Sequence, residues 1–350
     1  MLTRRSLLSG AASTFMSSNF LRADTIKSHN PQRPTKQMIY PPRLRTNDLV
    51  AIVAPAGCVP SQENLQRAKS NLESQGLRVK VMPNAGNQWG YLAGTDMERA
   101  SDFNEAIRDP EIKGIIALRG GYGSMRILPA LDYDLFQKNP KVVMGYSDIT
   151  AILNAITRKT GVITFHGPIA EATFEGFEGE QMRRALFEKG NLDTFPEPSV
   201  LRGSPVFPSA RTIVSGTATG RLIGGNLSLI EPCANTQYGP EFKDAILFIE
   251  DIAEAPYRVD RMLTSLWLRG CLSELKGIVI GDFRLPKPDS TPDERPDFSM
   301  EEVFDHLSSW IQVPIFSGLY AGHIPDKLTL PIGAEVEIDA DAKTLRFISA

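Results

Sequence analysis

The sequence has few of the residues that build metal centres, disulfide frameworks or nucleic-acid surfaces. Its 350 residues include three scattered cysteines and no CxxC pair, so neither a zinc site nor any other metal site is expected. Lys and Arg number 38 against 41 Asp and Glu, and this lack of basic surplus argues against nucleic acid as a partner. The chain has no internal repeat, and no Walker-type, HExxH or EF-hand pattern occurs.

The N-terminus has the layout of an export signal. Arg4 and Arg5 precede a short apolar stretch that is rich in Ser and Gly and too short to span a bilayer. We therefore expect a signal peptide of the twin-arginine type over residues 1–23, and a polar, Pro-rich linker over 24–45. The prediction is a periplasmic protein with no stable membrane insertion after signal removal. A disordered cytosolic tail is the alternative.

From about residue 46 the chain reads as an α/β protein. Short β-branched strands, beginning with Leu49–Val53, alternate with helical periodicity such as that of Asp96–Arg108. This alternation is typical of a doubly wound parallel sheet, which we assign to a domain over 46–187. The segment 188–210 is rich in Pro, Gly and Glu and is predicted to be a linker. The remaining residues, 211–350, are predicted to form a smaller mixed α/β domain.

Ser147 lies where an apolar strand passes abruptly into a helix. Gly145 ends the strand, so the serine hydroxyl is expected to stand clear of the backbone at the carboxyl edge of the sheet. A nucleophile that supports developing negative charge suits that place, although serine is also a favoured helix N-cap.

A serine nucleophile needs a base and an acid that orients it. His166 and His323 each follow a short apolar run, and local pattern does not separate them. Glu250 follows a buried run that begins at Ala245. The chain order of serine, acid and histidine is that of the α/β-hydrolases, though the order alone decides little.

A glycine-rich turn, Arg119-Gly-Gly-Tyr-Gly123, follows another predicted strand. It does not match the dinucleotide fingerprint, which requires GxGxxG directly after the first strand. Its backbone N–H groups are little obstructed by side chains, as an oxyanion hole requires.

Many motifs, taken in order, resemble those of the serine L,D-carboxypeptidases, also called muramoyltetrapeptide carboxypeptidases. The resemblance covers essentially everything from about Pro41 onward. Its segments are Ala51-Ile-Val-Ala-Pro55, Ala93-Gly-Thr-Asp96 with Arg99, Leu118-Arg-Gly-Gly-Tyr-Gly123, Gly145-Tyr-Ser-Asp148, His166-Gly-Pro168, Gly224-Gly-Asn-Leu227, Phe248-Ile-Glu-Asp251, Pro256-Tyr-Arg-Val-Asp-Arg-Met-Leu263, Gly281-Asp-Phe283 and Gly322-His323.

The resemblance implies a flavodoxin-like N-terminal domain, a smaller C-terminal domain, a site between them and a homodimer. It assigns the nucleophile to Ser147, the general base to His323 and the orienting acid to Glu250. The implied reaction removes the terminal D-alanine of murein tetrapeptides, without metal or cofactor. The export signal departs from the many relatives that recycle murein in the cytosol.

The resemblance also implies an oxyanion hole. The hole would combine the backbone N–H of Asp148 with that of Gly120 or Gly121. The terminal carboxylate of the substrate needs a cation. The candidate substrate contacts are Arg119, Tyr122 and Arg258.

Three other functions stay open at this point. A sister branch of the family cleaves peptidyl-nucleotide antibiotics for self-immunity. A non-catalytic periplasmic protein could bind peptidoglycan on the same scaffold. A flavodoxin-like cofactor protein is disfavoured, because no phosphate-cradling loop follows the first strand.

Overall fold

The computed structural model describes residues 37–188, 206–284 and 297–348. The predicted signal peptide, 1–23, lies outside these ranges, as do residues 24–36 and 189–205 of the two predicted linkers. Residues 37–45 pack on the body of the protein. Ile39 pairs with the backbone around Val162, and Leu44 is 1% exposed within the core.

The helices and strands alternate along the first half of the chain. The strands are β1 (Leu49–Val53), β2 (Arg78–Val81), β3 (Ile112–Ala117), β4 (Val142–Gly145) and β5 (Thr164–His166). The helices are α1 (Gln62–Glu73), α2 (Asp96–Arg108), α3 (Ser124–Ile127), α4 (Tyr133–Lys138), α5 (Thr150–Thr160) and α6 (Gly176–Leu186).

The second half begins with two strands and continues as a mixed pattern. The strands are β6 (Arg211–Val214), β7 (Thr217–Asn226), β8 (Ala245–Ile252), β9 (Gly277–Arg284), β10 (Ile315–Ser317), β11 (Leu330–Ile332), β12 (Glu335–Asp339) and β13 (Thr344–Phe347). The helices are α7 (Leu227–Cys233), α8 (Pro256–Leu268), α9 (Met300–Asp305) and α10 (Leu307–Trp310).

The first sheet has the order β11-β5-β4-β3-β1-β2. Strands β1 to β5 are parallel, and their order is that of a flavodoxin-like doubly wound sheet, which confirms the predicted fold class. The edge strand β11 comes from the second half of the chain and pairs antiparallel with β5, where Leu330 faces His166.

The second sheet has the order β13-β12-β7-β8-β9-β10-β6, and it is mixed, as predicted. Strands β7 to β10 are parallel, whereas β6, β12 and β13 pair antiparallel with their neighbours. The sequence predicts one strand over Thr212–Gly220, but the structure divides it into β6 and β7. Gly216 lies between them with a φ of 123°, a conformation that interrupts a strand and that glycine adopts readily.

One hydrophobic cluster joins the two sheets. It includes Ile52 and Phe165 from the first sheet and Phe248 and Phe316 from the second, all nearly inaccessible to solvent. Burial of apolar side chains on both sides of this contact stabilises the arrangement of the sheets. Among the described residues, no helix is long and apolar enough to cross a membrane.

Candidate active site

Ser147 lies at a sharp turn between β4 and α5. All four residues of β4 are buried, and the chain leaves the strand at Gly145. A Cβ on Gly145 would lie 2.9 Å from Ile149 Cγ2 and 3.1 Å from Ala117 Cβ, so the turn is too tight for a larger residue. Ser147 itself has a φ of 61°, in the left-handed region. Such a conformation costs a non-glycine residue about 1–3 kcal/mol and is found preferentially at functional sites.

The glycine-rich turn after β3 packs directly on this serine. A Cβ on Gly120 would lie 2.9 Å from Ser147 Cβ and 3.1 Å from its Oγ. The same position would be 3.5 Å from the backbone nitrogen of Asp148. Gly120 is therefore required for the close approach of the two turns, and its backbone lies beside the Ser147 hydroxyl.

Two buried polar side chains hold the glycine-rich turn in place. Asp148 accepts a 2.8 Å hydrogen bond from the backbone N–H of Ser124, and Ser124 Oγ donates to the backbone carbonyl of Asp148. Burial raises the pKa of Asp148, and these hydrogen bonds oppose that effect. Arg99 donates from Nη1 to the carbonyls of Gly123 and Pro55. The turn is thus tied both to the residue after Ser147 and to the loop that follows β1.

Glu250 and His323 form a hydrogen-bonded pair. His323 Nδ1 lies 2.7 Å from Glu250 Oε2. Glu250 is fully buried, and burial opposes its ionisation, but the two neighbouring histidines, His323 and His166, outweigh this effect and lower its pKa to about 2. Burial also lowers the pKa of His323, and here Glu250 outweighs it, so that the pKa is raised. An ionised Glu250 accepts the Nδ1 proton and leaves Nε2 of a neutral His323 able to take up another.

His166 lies on the other side of the same carboxylate. Its Nε2 is 3.5 Å from Glu250 Oε1, and its side chain is completely buried, whereas that of His323 is 12% exposed. The ring of Tyr146 packs edge-on against both histidines, with centroid distances of 6.1 Å to His166 and 4.9 Å to His323. Tyr146 precedes Ser147, so the histidine pair lies beside the serine turn. In the described structure, the Ser147 hydroxyl makes no hydrogen bond to His323.

Two of the predicted substrate contacts, Arg119 and Tyr122, belong to the glycine-rich turn and have partners other than Glu250 and His323. Arg119 precedes Gly120, donates a 3.0 Å hydrogen bond to the carbonyl of Cys58, and lies 3.7 Å from the carboxylate of Glu171. Tyr122 is half exposed and packs edge-on against Tyr91.

Arg258 lies in the first turn of α8. It stacks over Tyr257 and lies 3.7 Å from Glu254. Within the described ranges, no hydrogen bond or ion pair joins Arg258 to Ser147, Glu250 or His323.

A pocket of about 440 Å³ opens beside Tyr146. Its charged lining is mostly acidic, with a single lysine that pairs with one of the glutamates. The lining residues are Tyr146, Ile169, Glu171, Ala172, Thr173, Glu175, Glu178, Pro325, Asp326 and Lys327. Lys327 also lies 4.7 Å from the centroid of the Tyr146 ring, so the pocket and the candidate site share a wall. In the described ranges, no cluster of His, Cys, Asp and Glu is arranged to hold a metal ion.

Sequence reasoning gave no role to three residues that shape this site. Arg99 and Tyr146 belong to motifs of the resemblance, but no pattern indicates what their side chains contact. Lys327 follows His323 by four residues, and its partner Glu178 is 149 positions away along the chain. Such a contact leaves no trace in local periodicity.

Comparison with known proteins decides the family. Residues 50–167 match the N-terminal domain of LD-carboxypeptidases, and residues 219–338 match the C-terminal domain. The probable murein peptide carboxypeptidase of Bacillus subtilis (strain 168) is 35% identical over 305 residues, which are 87% of this chain and 92% of that protein. This chain belongs to the LD-carboxypeptidase family. It is therefore a hydrolase of the carboxypeptidase type, as the resemblance implied.

Another relative is named as a self-immunity protein and not as a carboxypeptidase. The microcin C7 self-immunity protein MccF of Escherichia coli is 32% identical over 314 residues, which are 83% of this chain and 90% of that protein. A solved structure of MccF in complex with glutamyl sulfamoyl guanosine is similar with a TM-score of 0.79 and 27% identity. The match covers 89% of this chain and 98% of the MccF chain.

Proposed function

We propose that this LD-carboxypeptidase is a serine peptidase that removes the terminal D-alanine from murein tetrapeptides. The observation that carries the proposal is the 2.7 Å hydrogen bond between Glu250 and His323, formed beside a serine held at a positive φ. An acid that orients a histidine next to a serine hydroxyl is the arrangement that activates a serine nucleophile. The names of murein peptide carboxypeptidases among the relatives support the choice of substrate.

In the proposed mechanism, Ser147 Oγ attacks the carbonyl carbon of the bond to D-alanine. His323 Nε2 takes the serine proton, and Glu250 fixes the Nδ1 tautomer and stabilises the imidazolium. His323 then gives this proton to the departing amine, which leaves as D-alanine. A water molecule repeats the sequence on the acyl-enzyme, transferring its proton through His323 and releasing the shortened peptide from Ser147.

The backbone N–H groups of Asp148 and of Gly120 or Gly121 are proposed to bind the tetrahedral oxyanion. The close packing of Gly120 on Ser147 supports this assignment, because it leaves the backbone of the glycine-rich turn next to the hydroxyl that attacks. Donors that are already fixed before the reaction stabilise developing charge without reorganisation. The contacts of Arg99 and Ser124 supply that rigidity.

The acidic pocket suits the side-chain amine of a murein peptide. The diamino acid before the scissile bond of murein peptides carries a side-chain amine, which is a cation at neutral pH. Four carboxylates and one lysine line the pocket beside Tyr146. Their net negative charge attracts an amine and repels the carboxylate of a glutamyl group.

The test is incubation of purified protein with murein tetrapeptide, followed by mass spectrometry. We expect loss of one alanine residue from the peptide. Ser147→Ala should abolish this loss, whereas Ser273→Ala, an exposed serine that bonds to the carbonyl of Gly270, should retain it. A peptidyl-nucleotide substrate incubated in parallel should stay intact. Tight binding of the tetrapeptide without turnover would instead identify a binding protein.

A further inference from the structure

His166 lies at the end of β5, and the proposed chemistry gives it no role. Its ring is completely buried, and neither ring nitrogen has a hydrogen-bond partner of ordinary geometry among the described residues. The Glu250 oxygen that faces it, Oε1, also lacks such a partner there. Buried polar atoms without partners are rare in folded proteins. Two of them that face each other at 3.5 Å therefore require a physical reason.

The two atoms are chemically complementary. A neutral imidazole carries one N–H, and a carboxylate oxygen accepts. We propose that His166 is a positioning residue that donates its Nε2 proton to Glu250 Oε1 and thereby holds the carboxylate whose other oxygen orients His323. The inference deepens the proposed function and rests on it. Closing the contact from 3.5 Å to an ordinary hydrogen bond of about 3 Å needs a shift of roughly half an ångström.

The packing around His166 fixes the direction of its ring. Phe248 on β8 lies edge-on at a centroid distance of 5.1 Å, and Tyr146, directly after the neighbouring strand β4, lies edge-on at 6.1 Å. A Cβ on Gly225 would lie 3.1 Å from His166 Cδ2, so β7 also approaches the ring closely. With neighbours on β7 and β8 and directly after β4, the imidazole has little freedom to turn away from Glu250. The geometry is that of a support and not of a mobile proton carrier.

The charged groups around Glu250 determine the direction in which the pKa of His323 should move when the His166 donor is removed. The titratable groups near the pair are Tyr146 directly after β4, Asp251 on β8, Asp282 on β9, and His323 and Lys327 in the segment after β10. A proton donated by His166 spreads the charge of Glu250 over two hydrogen bonds. Without that donor, the full charge acts on His323 and raises its pKa further, while the carboxylate gains freedom to rotate. The acid limb of kcat/KM should therefore move to higher pH, and kcat should fall.

The test compares three substitutions in the full-length protein. His166→Gln keeps an N–H donor near the position of Nε2, His166→Met fills a similar volume with no donor, and His166→Asn has a donor that is too short to reach Glu250. We measure kcat, KM and the pH profile on murein tetrapeptide, and we titrate His323 by NMR in a Ser147→Ala background. The Met and Asn variants should lose about 10- to 150-fold in kcat, the range for a hydrogen bond to a charged group, with KM within about twofold. Their His323 pKa should rise by about half a unit or more, and Gln should restore most of both values.

The outcomes separate the possibilities. A folded Met variant with the wild-type kcat and His323 titration would overturn the proposal, and so would identical behaviour of the Gln and Asn variants if Met does not fold. Loss of all turnover in the three variants, with His323→Ala still active, would make His166 the base. The NMR titration does not depend on turnover. If murein is not hydrolysed but Met still raises the His323 pKa, the proposed function fails and the positioning role stands.

Discussion

Glu250→Gln removes one negative charge from the centre of the site and changes almost no volume. The fully buried carboxylate accepts the Nδ1 proton of His323 at 2.7 Å. If the new amide turns its NH2 group toward His323, Nδ1 must accept, the ring proton moves to Nε2, and the histidine no longer takes a proton from Ser147. If the amide turns its oxygen toward His323, the tautomer is kept, but the charge that stabilises the imidazolium is lost.

Both orientations predict a large loss of kcat. A single hydrogen bond to a charged group is worth about 1.5–3 kcal/mol, or roughly 10- to 150-fold in rate. The corresponding acid-to-amide change in a serine protease triad lowers kcat by about 10⁴ through the wrong tautomer. We therefore expect a loss between about 10² and 10⁴. The thermal midpoint should also fall, because the histidines that lower the pKa of Glu250 stabilise its ionised form in the folded protein.

The pH profile gives an independent prediction, namely the direction in which the acid limb of kcat/KM moves. Burial is the largest influence on the pKa of His323 and lowers it, whereas the charge and hydrogen bond of Glu250, together with the charge of Asp251, raise it above its ordinary value. With the charge of Glu250 removed, the effect of burial is less opposed and the pKa of His323 falls. The acid limb of kcat/KM reports the protonation of the base, so it should move to lower pH while the plateau drops.

The assay is kcat and kcat/KM on murein tetrapeptide between about pH 5 and pH 9. Glu337→Gln is the matched control, because Glu337 forms an exposed pair with Arg346 on β12 and β13 and should keep both the plateau and the limb. An unchanged plateau in Glu250→Gln would refute the role of Glu250. So would an acid limb that moves to higher pH.

Four further predictions follow from the same structure and sequence. Gly120→Ala places a Cβ 2.9 Å from Ser147 Cβ and should lower kcat by about 10²–10³, whereas Gly270→Ala, with a φ of +76° and open space, should lower the thermal midpoint and keep kcat. Ser147→Ala, His323→Ala and Glu250→Ala should be far from additive in kcat when combined, because each disables one proton relay. In the native host, fractionation should find a protein that lacks about 23 residues outside the cytosol; full-length protein confined to the cytosol would contradict export. Light scattering of the purified protein should give the mass of a dimer, and a monomer at all concentrations would refute the predicted assembly.

Local chemistry made part of the fold predictable. The helix Asp96–Arg108 has the predicted boundaries because Thr95 and Glu98 form a capping box at its start and Asp109 and Pro110 follow its end. Strands β3 and β4 of the first sheet are largely buried apolar runs and were recognised for that reason.

Long-range pairing was not predictable in the same way. Strand β11 has three residues, too few for periodicity, and it joins the first sheet from the far end of the sequence. The predicted buried run Ala245–Ile249 extends to Ile252 in β8, so Glu250 lies within the strand and not after it. The register shifts between Ile249 and Asp251, and this irregularity arises from pairing with β9.

The choice of His166 or His323 as the base could not be made from the local sequence pattern. Local pattern treated His166 and His323 alike, and only the resemblance favoured His323. In the structure both reach the same carboxylate, His323 at 2.7 Å and His166 at 3.5 Å, and only the His323 side chain is partly exposed. Burial and distance depend on how the two sheets meet, which no short motif records.

The meeting of the sheets depends on contacts between α5 and β7. Asn154 on α5 donates to the carbonyl of Gly224 at 2.8 Å and accepts from its N–H at 3.2 Å, and Thr150 Oγ1 accepts from Asn226 N–H at 3.0 Å. A Cβ on Gly225 would lie 2.6 Å from Thr150 Oγ1, so the backbones can approach only without a side chain there.

Asn226 is paired in register with Glu250 on β8. Helix α5, which begins beside Ser147, is therefore hydrogen-bonded to β7, and β7 pairs with the part of β8 that contains Glu250. The distance between nucleophile and acid is consequently fixed by backbone packing, and a change at the Gly-Gly-Asn segment should disturb the site although none of its side chains takes part in the proposed chemistry.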